Sequence, residues 1–232
     1  MKKVILCLLI VFTCSCATTE EDIQKANAHY QLGLSYFNEN KIQMAYVEFQ
    51  KALEMNPDNK EVLNALGIVY LALDDLQKAR DSFLKALTKD PNFSEAHYNL
   101  GATYGRMGRW SDAVNSFNVA INNPVYQKHD IAYNSLGDAY YRLGLIDDAI
   151  GAYKEAIKRG INFYRPYYGL ALSYNAKGRY GDAASAMEEA IERDPFFRGD
   201  KDKAIKYFKD RNLKAQDEEA KDVADYLEIL NY

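Results

Sequence analysis

Residues 60–93 read KEVLNALGIVYLALDDLQKARDSFLKALTKDPNF, and this stretch decides the fold because its pattern recurs along the chain. Its recurring positions are Leu66, Gly67, Tyr70, Ala79, Phe83, Ala86 and Pro91. The preceding repeat carries the same pattern as Leu32, Gly33, Tyr36, Ala45, Phe49, Ala52 and Pro57, and later copies contain Leu100, Leu136 and Leu170. Because residues of the same type recur at the same spacing, the sequence predicts one structural unit that is repeated five times.

The sizes of these residues predict two helices that pack closely within each repeat. Gly67 and Ala79 have almost no side-chain volume, so we expect them to face each other where the two helices meet. A glycine inside a helix costs about 1 kcal/mol relative to alanine, yet four of the five repeats keep it at this offset. One helix pair cannot bury its apolar face alone, so the repeats are expected to stack.

The repeated pattern resembles the tetratricopeptide-repeat family over residues 26–197. This resemblance implies an all-α fold, namely a right-handed superhelical solenoid of paired antiparallel helices with five clear repeats. Beyond Pro195 the pattern fades, although residues 203–210 and 217–230 still read as helical. We interpret residues 198–232 as a degenerate sixth repeat whose helices cap the array.

The N-terminal segment differs from the repeats. Lys2 and Lys3 precede an apolar run over residues 4–12, which predicts a secretory signal peptide over residues 1–15. Its end resembles the lipobox of bacterial lipoproteins, which implies Cys16 as the acylated anchor, with Cys14 as the less suitable alternative. The resemblance also implies an outer-membrane lipoprotein that faces the periplasm, with residues 16–25 as a tether. A plain secreted protein with a coincidental cysteine is the alternative.

Composition narrows the classes of function. The chain has 232 residues and a formal charge of −4, and no basic block is present, so nucleic acid is not expected as a partner. Its mean hydropathy of −0.42 argues against a polytopic membrane protein. Known catalytic and phosphate-binding motifs are missing, so we expect neither an enzyme nor a cofactor. We therefore expect a protein partner and attachment to the membrane through the lipid.

A second stripe of residues on each first helix predicts where that partner binds. Residues three and four apart share a helix face, and in tetratricopeptide arrays the first helices line the concave surface. The predicted groove comprises Tyr30, Leu34, Phe37, Asn64, Ile68, Leu71, Tyr98, Asn99, Asn134, Asp138, Tyr141, Tyr168, Leu172 and Asn175, with Ala102 and Gly105 as a small-residue floor. Its asparagines suit a peptide backbone, and its aromatic residues suit apolar anchors. For single residues such as Leu34, packing against neighbouring helices is an equally good interpretation.

The repeat spacing changes once, at a candidate loop. Gly67 and Gly101 are 34 residues apart, whereas Gly101 and Gly137 are 36 apart. The extra residues fall within 122–130, which contains Pro124 and Tyr126. Insertions in repeat arrays form loops on one face, so this loop is a second candidate contact, although a harmless insertion explains it equally well.

The combination of lipobox, short array and inserted loop resembles the type IV pilus biogenesis lipoproteins. Members of that family are pilotins, and the resemblance implies a scaffold that helps an outer-membrane secretin to assemble. A different adaptor lipoprotein of the same fold, serving envelope proteases or cell-wall enzymes, is the alternative. An enzyme would require a site that the sequence does not show.

The close packing of the helices makes a testable prediction at the third repeat. Replacing Ala113 by leucine adds volume where the two helices meet, so Ala113→Leu is expected to destabilise the protein by about 1–3 kcal/mol. Chemical denaturation of both proteins measures this change. An unchanged midpoint would contradict the alignment of the repeats.

Overall fold

The computed structural model describes residues 19–160 and 162–232. The predicted signal peptide and both candidate lipidation sites, Cys14 and Cys16, lie outside the described residues. Those described contain twelve α-helices and no strand, which confirms the predicted all-α class. The helices are α1 (Glu20–Asn38), α2 (Ile42–Met55), α3 (Lys60–Ala72), α4 (Leu76–Lys89), α5 (Ser94–Arg106), α6 (Trp110–Asn122), α7 (His129–Arg142), α8 (Ile146–Arg159), α9 (Arg165–Ala176), α10 (Tyr180–Arg193), α11 (Lys201–Asn212) and α12 (Asp217–Ile229). Within this part of the chain, no helix is both long and apolar enough to cross a bilayer.

The chain divides into two compact units, Met1–Asp58 and Asn59–Tyr232. In the first, α1 packs against α2, and a capping box between Thr19 and Asp22 starts α1. Residues 20–25, predicted as part of a tether, therefore form the first turns of a helix. In the second, α3 to α10 form four helix pairs, and the second helix of each of the first three pairs packs on the first helix of the next. This arrangement confirms the predicted stacking of helix–turn–helix repeats within the second compact unit.

The repeated glycine makes room for the aromatic ring of the second helix. A Cβ atom added at Gly101 would lie 2.7 Å from the ring of Phe117, and one at Gly137 would lie 2.6 Å from the ring of Tyr153. The prediction that the glycine faces the small residue at the Ala79 position is therefore wrong. In the fifth repeat alanine replaces the glycine and Met187 replaces the ring, because an unbranched thioether adapts to the smaller space.

The repeated leucine joins one repeat to the repeat before it. Leu100 clusters with Phe83 and Leu136 with Phe117, and each leucine is buried. Leu32 has no repeat before it in the described chain and is 42 % exposed. Leu32 therefore lacks, among the described residues, the contact with a preceding ring that buries Leu100 and Leu136.

The turn between the two helices of each repeat contains one left-handed residue. These residues are Asn40, Asp74, Gly108, Gly144 and Gly178, with φ between 58° and 74°. Glycine adopts this conformation without steric cost, and asparagine and aspartate tolerate it better than other residues do. The identity of this residue therefore follows from the backbone of the turn.

The C-terminal helices are present as predicted, but they pack differently from the repeats. Arg198 and Gly199 are both left-handed, with φ of 53° and 81°, and they redirect the chain after α10. As a result α12 lies against both α9 and α10, while α11 packs mainly on α12 and to a smaller extent on α10. This arrangement places α11 and α12 over the face formed by the first helices α7 and α9.

The left-handed turn predicts opposite effects for two glycines of the fourth repeat. Gly144 has φ of 74°, whereas Gly151 lies within α8, and neither would bring an added Cβ within 4 Å of another group. Gly144→Ala is expected to destabilise the protein by about 1 kcal/mol through backbone strain. Gly151→Ala is expected to stabilise it by about 0.5–1 kcal/mol through helix propensity. Urea denaturation of both variants measures these changes, and equal signs would contradict the interpretation.

Candidate functional site

A cavity of about 820 Å³ lies in the second compact unit, between the first helices α5, α7 and α9 and the C-terminal helices α11 and α12. Its aromatic lining includes Trp110, Tyr141, Tyr164, Tyr168, Tyr207, Phe208 and Tyr226. Its charged lining consists of Arg106, Arg142, Arg165, Arg211, Asp138, Asp194, Glu219 and Asp222. Because the four positive and four negative groups cancel, the cavity favours neither sign by formal charge alone. Recognition must therefore depend on how these groups are paired.

The cavity brings together five of the residues predicted to form the groove, namely Asn134, Asp138, Tyr141, Tyr168 and Leu172. Ala102 and Gly105 also line it, in the position predicted for a small-residue floor. In the same compact unit, Ile68 and Leu71 instead pack on the cluster around Phe83. These two side chains therefore contribute at least in part to the core, which is the alternative that the sequence left open.

The remaining polar and aromatic groove residues of the first helices have defined partners. The Asn99 side-chain amide donates to the Asn64 Oδ1 atom at 2.9 Å, so two of the predicted backbone-binding amides bind each other. The Tyr98 ring lies 5.7 Å from that of Phe117. Asn64 and Asn99 together still have an amide donor and a carbonyl acceptor for a ligand.

The first compact unit carries the other predicted residues of the groove. Tyr30, Leu34 and Phe37 are half-buried on α1. The Tyr30 ring lies 5.9 Å from the ring of Phe49 on α2, so it packs at least partly within this unit. Their role in partner binding stays a prediction.

The C-terminal helix covers one end of the predicted groove. The Arg142 guanidinium donates to both carboxylate oxygens of Asp222, one at 2.9 Å, and forms an ion pair with Glu218 at 3.2 Å. The Tyr168 ring lies 5.6 Å from that of Tyr226. These contacts fix α12 across the face where Tyr141 and Tyr168 were expected to meet a partner, so the chain itself occupies this part of the surface.

Tyr232, which follows α12, also contacts the predicted groove, at the end of α9. The Tyr232 hydroxyl donates to the Asn175 Oδ1 atom at 2.9 Å. Asn175, predicted as a groove residue, therefore binds the chain's own C-terminal segment. The part of the cavity that borders α5 and the start of α7 is formed by other residues, including Ala102, Gly105 and Trp110.

The polar floor of the cavity is built around Tyr153. Its ring lies against Gly137 of the same repeat and Gly169 of the next, and an added Cβ at either glycine would overlap the ring. This close approach points the Tyr153 hydroxyl at Asp138, to which it donates a hydrogen bond of 2.8 Å. The other Asp138 oxygen accepts from the Asn134 amide at 3.2 Å. Two neutral donors therefore hold this carboxylate in place.

The surrounding protein changes the acidity of Asp138. Desolvation raises the pKa of Asp138 from its ordinary value of 3.8 to about 6, whereas the hydrogen bond from Tyr153 and the charge of Arg142 act in the opposite direction. The side chain is accessible from the cavity, so water screens part of this effect. The carboxylate is thus a group whose charge a ligand of opposite charge would stabilise.

The inserted loop does not present Tyr126 as a contact residue. Tyr126 is 4 % exposed and packs in the core with Phe117 and Ile121. The prediction of a surface contact at Tyr126 is therefore wrong, because the additional residues let the ring fold back onto the repeat. Pro124 is exposed, and the neighbouring Val125 is 78 % exposed. Pro124 remains available for the contact that the sequence predicted.

Sequence reasoning missed several residues of the cavity, including Trp110, Arg142 and Tyr153. A signal for Tyr153 was present, because the other repeats carry phenylalanine or methionine at its position. Asp138 departs in the same repeat from the leucine, isoleucine or alanine found elsewhere at its position. Two polar departures in one repeat indicate a paired contact, and the structure shows that the two residues bind each other.

The histidines and carboxylates among residues 19–160 and 162–232 form no metal-binding arrangement. Within these ranges, no group of three histidine, cysteine, aspartate or glutamate residues could hold a metal ion. His29 bonds to Glu48 at 2.6 Å, and His97 bonds to the carbonyl oxygen of Pro91 at 2.8 Å. Both contacts are local and lie outside the cavity lining.

Comparison with known proteins identifies the repeat and several similar structures. Models of the tetratricopeptide repeat match residues 26–59, 48–81, 82–115 and 136–196. The crystal structure of MamA is 30% identical with a TM-score of 0.63, and the match covers 69% of this chain and 93% of MamA. No curated protein sequence matches the chain.

Two similar structures come from pilus-related proteins. PilW, described as a widely conserved type IV pilus biogenesis factor, is 23% identical with a TM-score of 0.73, over 88% of this chain and 90% of PilW. Pseudomonas aeruginosa PilF is 19% identical with a TM-score of 0.70, over 91% of this chain and 99% of PilF. At these identities the two likenesses show the fold alone.

The geometry of the floor makes a prediction about Asp138. Tyr153→Phe removes a hydrogen bond to the ionised carboxylate, so the pKa of Asp138 should rise further above its ordinary value. Carboxyl ¹³C NMR measures this pKa, with Tyr140→Phe as a matched control in the same repeat. The folded protein binds the Asp138 proton more tightly than the unfolded chain does. The contribution of Asp138 to the free energy of unfolding is therefore present at low pH and falls as pH rises towards about 6. A pKa that is unchanged or lower in Tyr153→Phe would contradict the assigned hydrogen bond.

Proposed function

This chain belongs to the tetratricopeptide-repeat family, and we propose that it is an envelope scaffold that promotes secretin assembly for type IV pilus biogenesis. In this proposal Cys16 is acylated and anchors the protein to the outer membrane, with the repeats in the periplasm. The client is a polypeptide segment of the secretin. The likeness in fold to PilW and PilF supports the choice of the pilus system.

The observation that carries the proposal is the cavity on the face of the first helices. Its volume of about 820 Å³ is within the range of natural ligand sites. Aromatic side chains line it on several sides, and such residues provide contact area at low entropic cost. One side of the cavity is formed by the helices α5, α7 and α9 of the array, and rigid elements of this kind hold a binding surface in a fixed shape.

The docking of α12 supports a helical segment as the client. Asp222 of α12 meets Arg142, while Tyr226 packs on Tyr168, so a helix binds through one charged and one aromatic contact. A client helix with apolar anchors can use the neighbouring cavity in the same way. Binding next to a lipid anchor would raise the local concentration of the client at the membrane.

Filling the cavity is expected to prevent secretin assembly. Ala102 is half-buried and lines the cavity, so Ala102→Arg places a long charged side chain where the client would bind. In cells that lack the wild-type protein, this variant should fail to restore heat-resistant secretin oligomers, and pili should be lost. Gel analysis of heated envelope fractions measures the oligomers.

Ala176→Arg provides the matched control, because Ala176 lies on a first helix but is exposed and does not line the cavity. It should restore the oligomers fully, and both variants should keep the helical melting curve of the wild type. Normal oligomers and pili in cells without the protein would exclude the pilus function. That result would favour an adaptor for other envelope proteins.

A further inference from the structure

We infer that the floor of the cavity, at Asp138 and Asn134, binds a primary ammonium group, that of a lysine side chain on the client segment. This inference rests on the proposed function, since it specifies the chemistry by which the same surface recognises its client. It concerns the second compact unit alone, where both residues lie on α7.

The first support is an unsatisfied acceptor at this floor. Asn134 is 9 % exposed, and its Oδ1 atom is buried without a hydrogen-bond partner in the described part of the chain. The Asn134 Nδ2 atom donates to Asp138, which fixes the orientation of the amide and leaves the buried Oδ1 atom as the unpaired one. A buried acceptor without a donor is unfavourable, so a ligand N–H group at this position would remove that cost.

The second support is the pairing of charges in the cavity. Arg142 is bound to Asp222 and Glu218, Arg106 to Asp74 and Arg211 to Glu219. Arg165 acts on Asp138 through its charge. Within residues 19–160 and 162–232, by contrast, Asp138 accepts hydrogen bonds only from the neutral side chains of Asn134 and Tyr153. Its carboxylate therefore still lacks a direct cationic partner, and a negatively charged ligand would be repelled by it.

The kind of acceptor at the floor favours an ammonium group over a guanidinium group. Asp138 and Asn134 lie one turn apart on α7 and together carry three acceptor oxygens, and a lysine ammonium has three N–H donors around one nitrogen. Arginine presents a planar fork that matches a bidentate carboxylate instead. Both Asp138 oxygens already accept one hydrogen bond each, which leaves one further position on each rather than a free fork.

The aromatic walls suit the rest of a lysine side chain. Tyr141, Tyr164 and Tyr168 line the same cavity as Asp138. Aromatic faces attract an ammonium group within about 6 Å, and the methylene groups of lysine pack well on such rings. The site thus offers a charged end and an apolar wall for one side chain.

Trp110 permits a direct test, because it is the one tryptophan of the sequence and it lines the cavity. We would titrate the full chain with N-acetyl-lysine-N-methylamide and follow the fluorescence of Trp110. The neutral control ligand is N-acetyl-norleucine-N-methylamide, which has the same chain of methylene groups without the ammonium. A ligand of this size is expected to bind in about the millimolar range.

Two variants connect the response to the floor. Asp138→Asn keeps an acceptor for Tyr153 but removes the charge, and it should weaken binding of the lysine derivative at least about tenfold. Asn134→Leu removes the open acceptor and should also weaken it. Asp148→Asn is the matched control, since it makes the same charge change at an exposed position of α8 outside the cavity, and it should leave binding unchanged.

The outcomes separate this inference from the proposed function. Equal binding of the lysine and norleucine derivatives, no response to the lysine derivative, or unchanged binding in Asp138→Asn would overturn the ammonium site. Tighter binding of the corresponding arginine derivative would overturn the choice of lysine. If the lysine derivative binds as expected while cells without the protein assemble secretin normally, the ammonium site stands and the secretin function fails.

Discussion

The contact between a glycine of the first helix and an aromatic ring of the second helix is the constraint on which the rest of the structure depends. At Gly101 an added Cβ would lie 2.7 Å from the ring of Phe117, so the two helices can approach this closely only without that atom. The leucine before the glycine then reaches the ring of the preceding repeat, as Leu100 reaches Phe83. Close packing within a repeat and stacking between repeats thus depend on the same ring.

This constraint also explains why the face of the first helices is available for binding. The rings take up the space between the two helices, so residues on the other side of each first helix are not needed for the contact with the second. In the fourth repeat that side carries Asn134 and Asp138, and the phenolic ring of Tyr153 reaches through to bind the carboxylate. The core and the candidate site are therefore connected by a single side chain.

The fold was predictable from sequence because its contacts are local and repeated. The glycine, ring and leucine recur at fixed offsets, so each repeat supports the interpretation of the others. The position of α12 was not predictable in the same way, because the pair of Arg142 and Asp222 joins residues 80 positions apart. Tyr126 was misplaced for a related reason: an inserted loop has no counterpart in the other repeats, so nothing in the pattern indicated that its ring turns inward.

The position of the Tyr153 ring between Gly137 and Gly169 has a consequence for how the array comes apart. In most repeat proteins neighbouring modules are coupled by similar surfaces, and melting can begin at either end. Phe83 and Phe117 each contact a leucine of the next repeat, but Tyr153 also lies against Gly169 of the fifth repeat, so neither the fourth nor the fifth repeat can loosen without opening a void beside the other. These two repeats should therefore behave as one cooperative block, and partial unfolding should halt at its border.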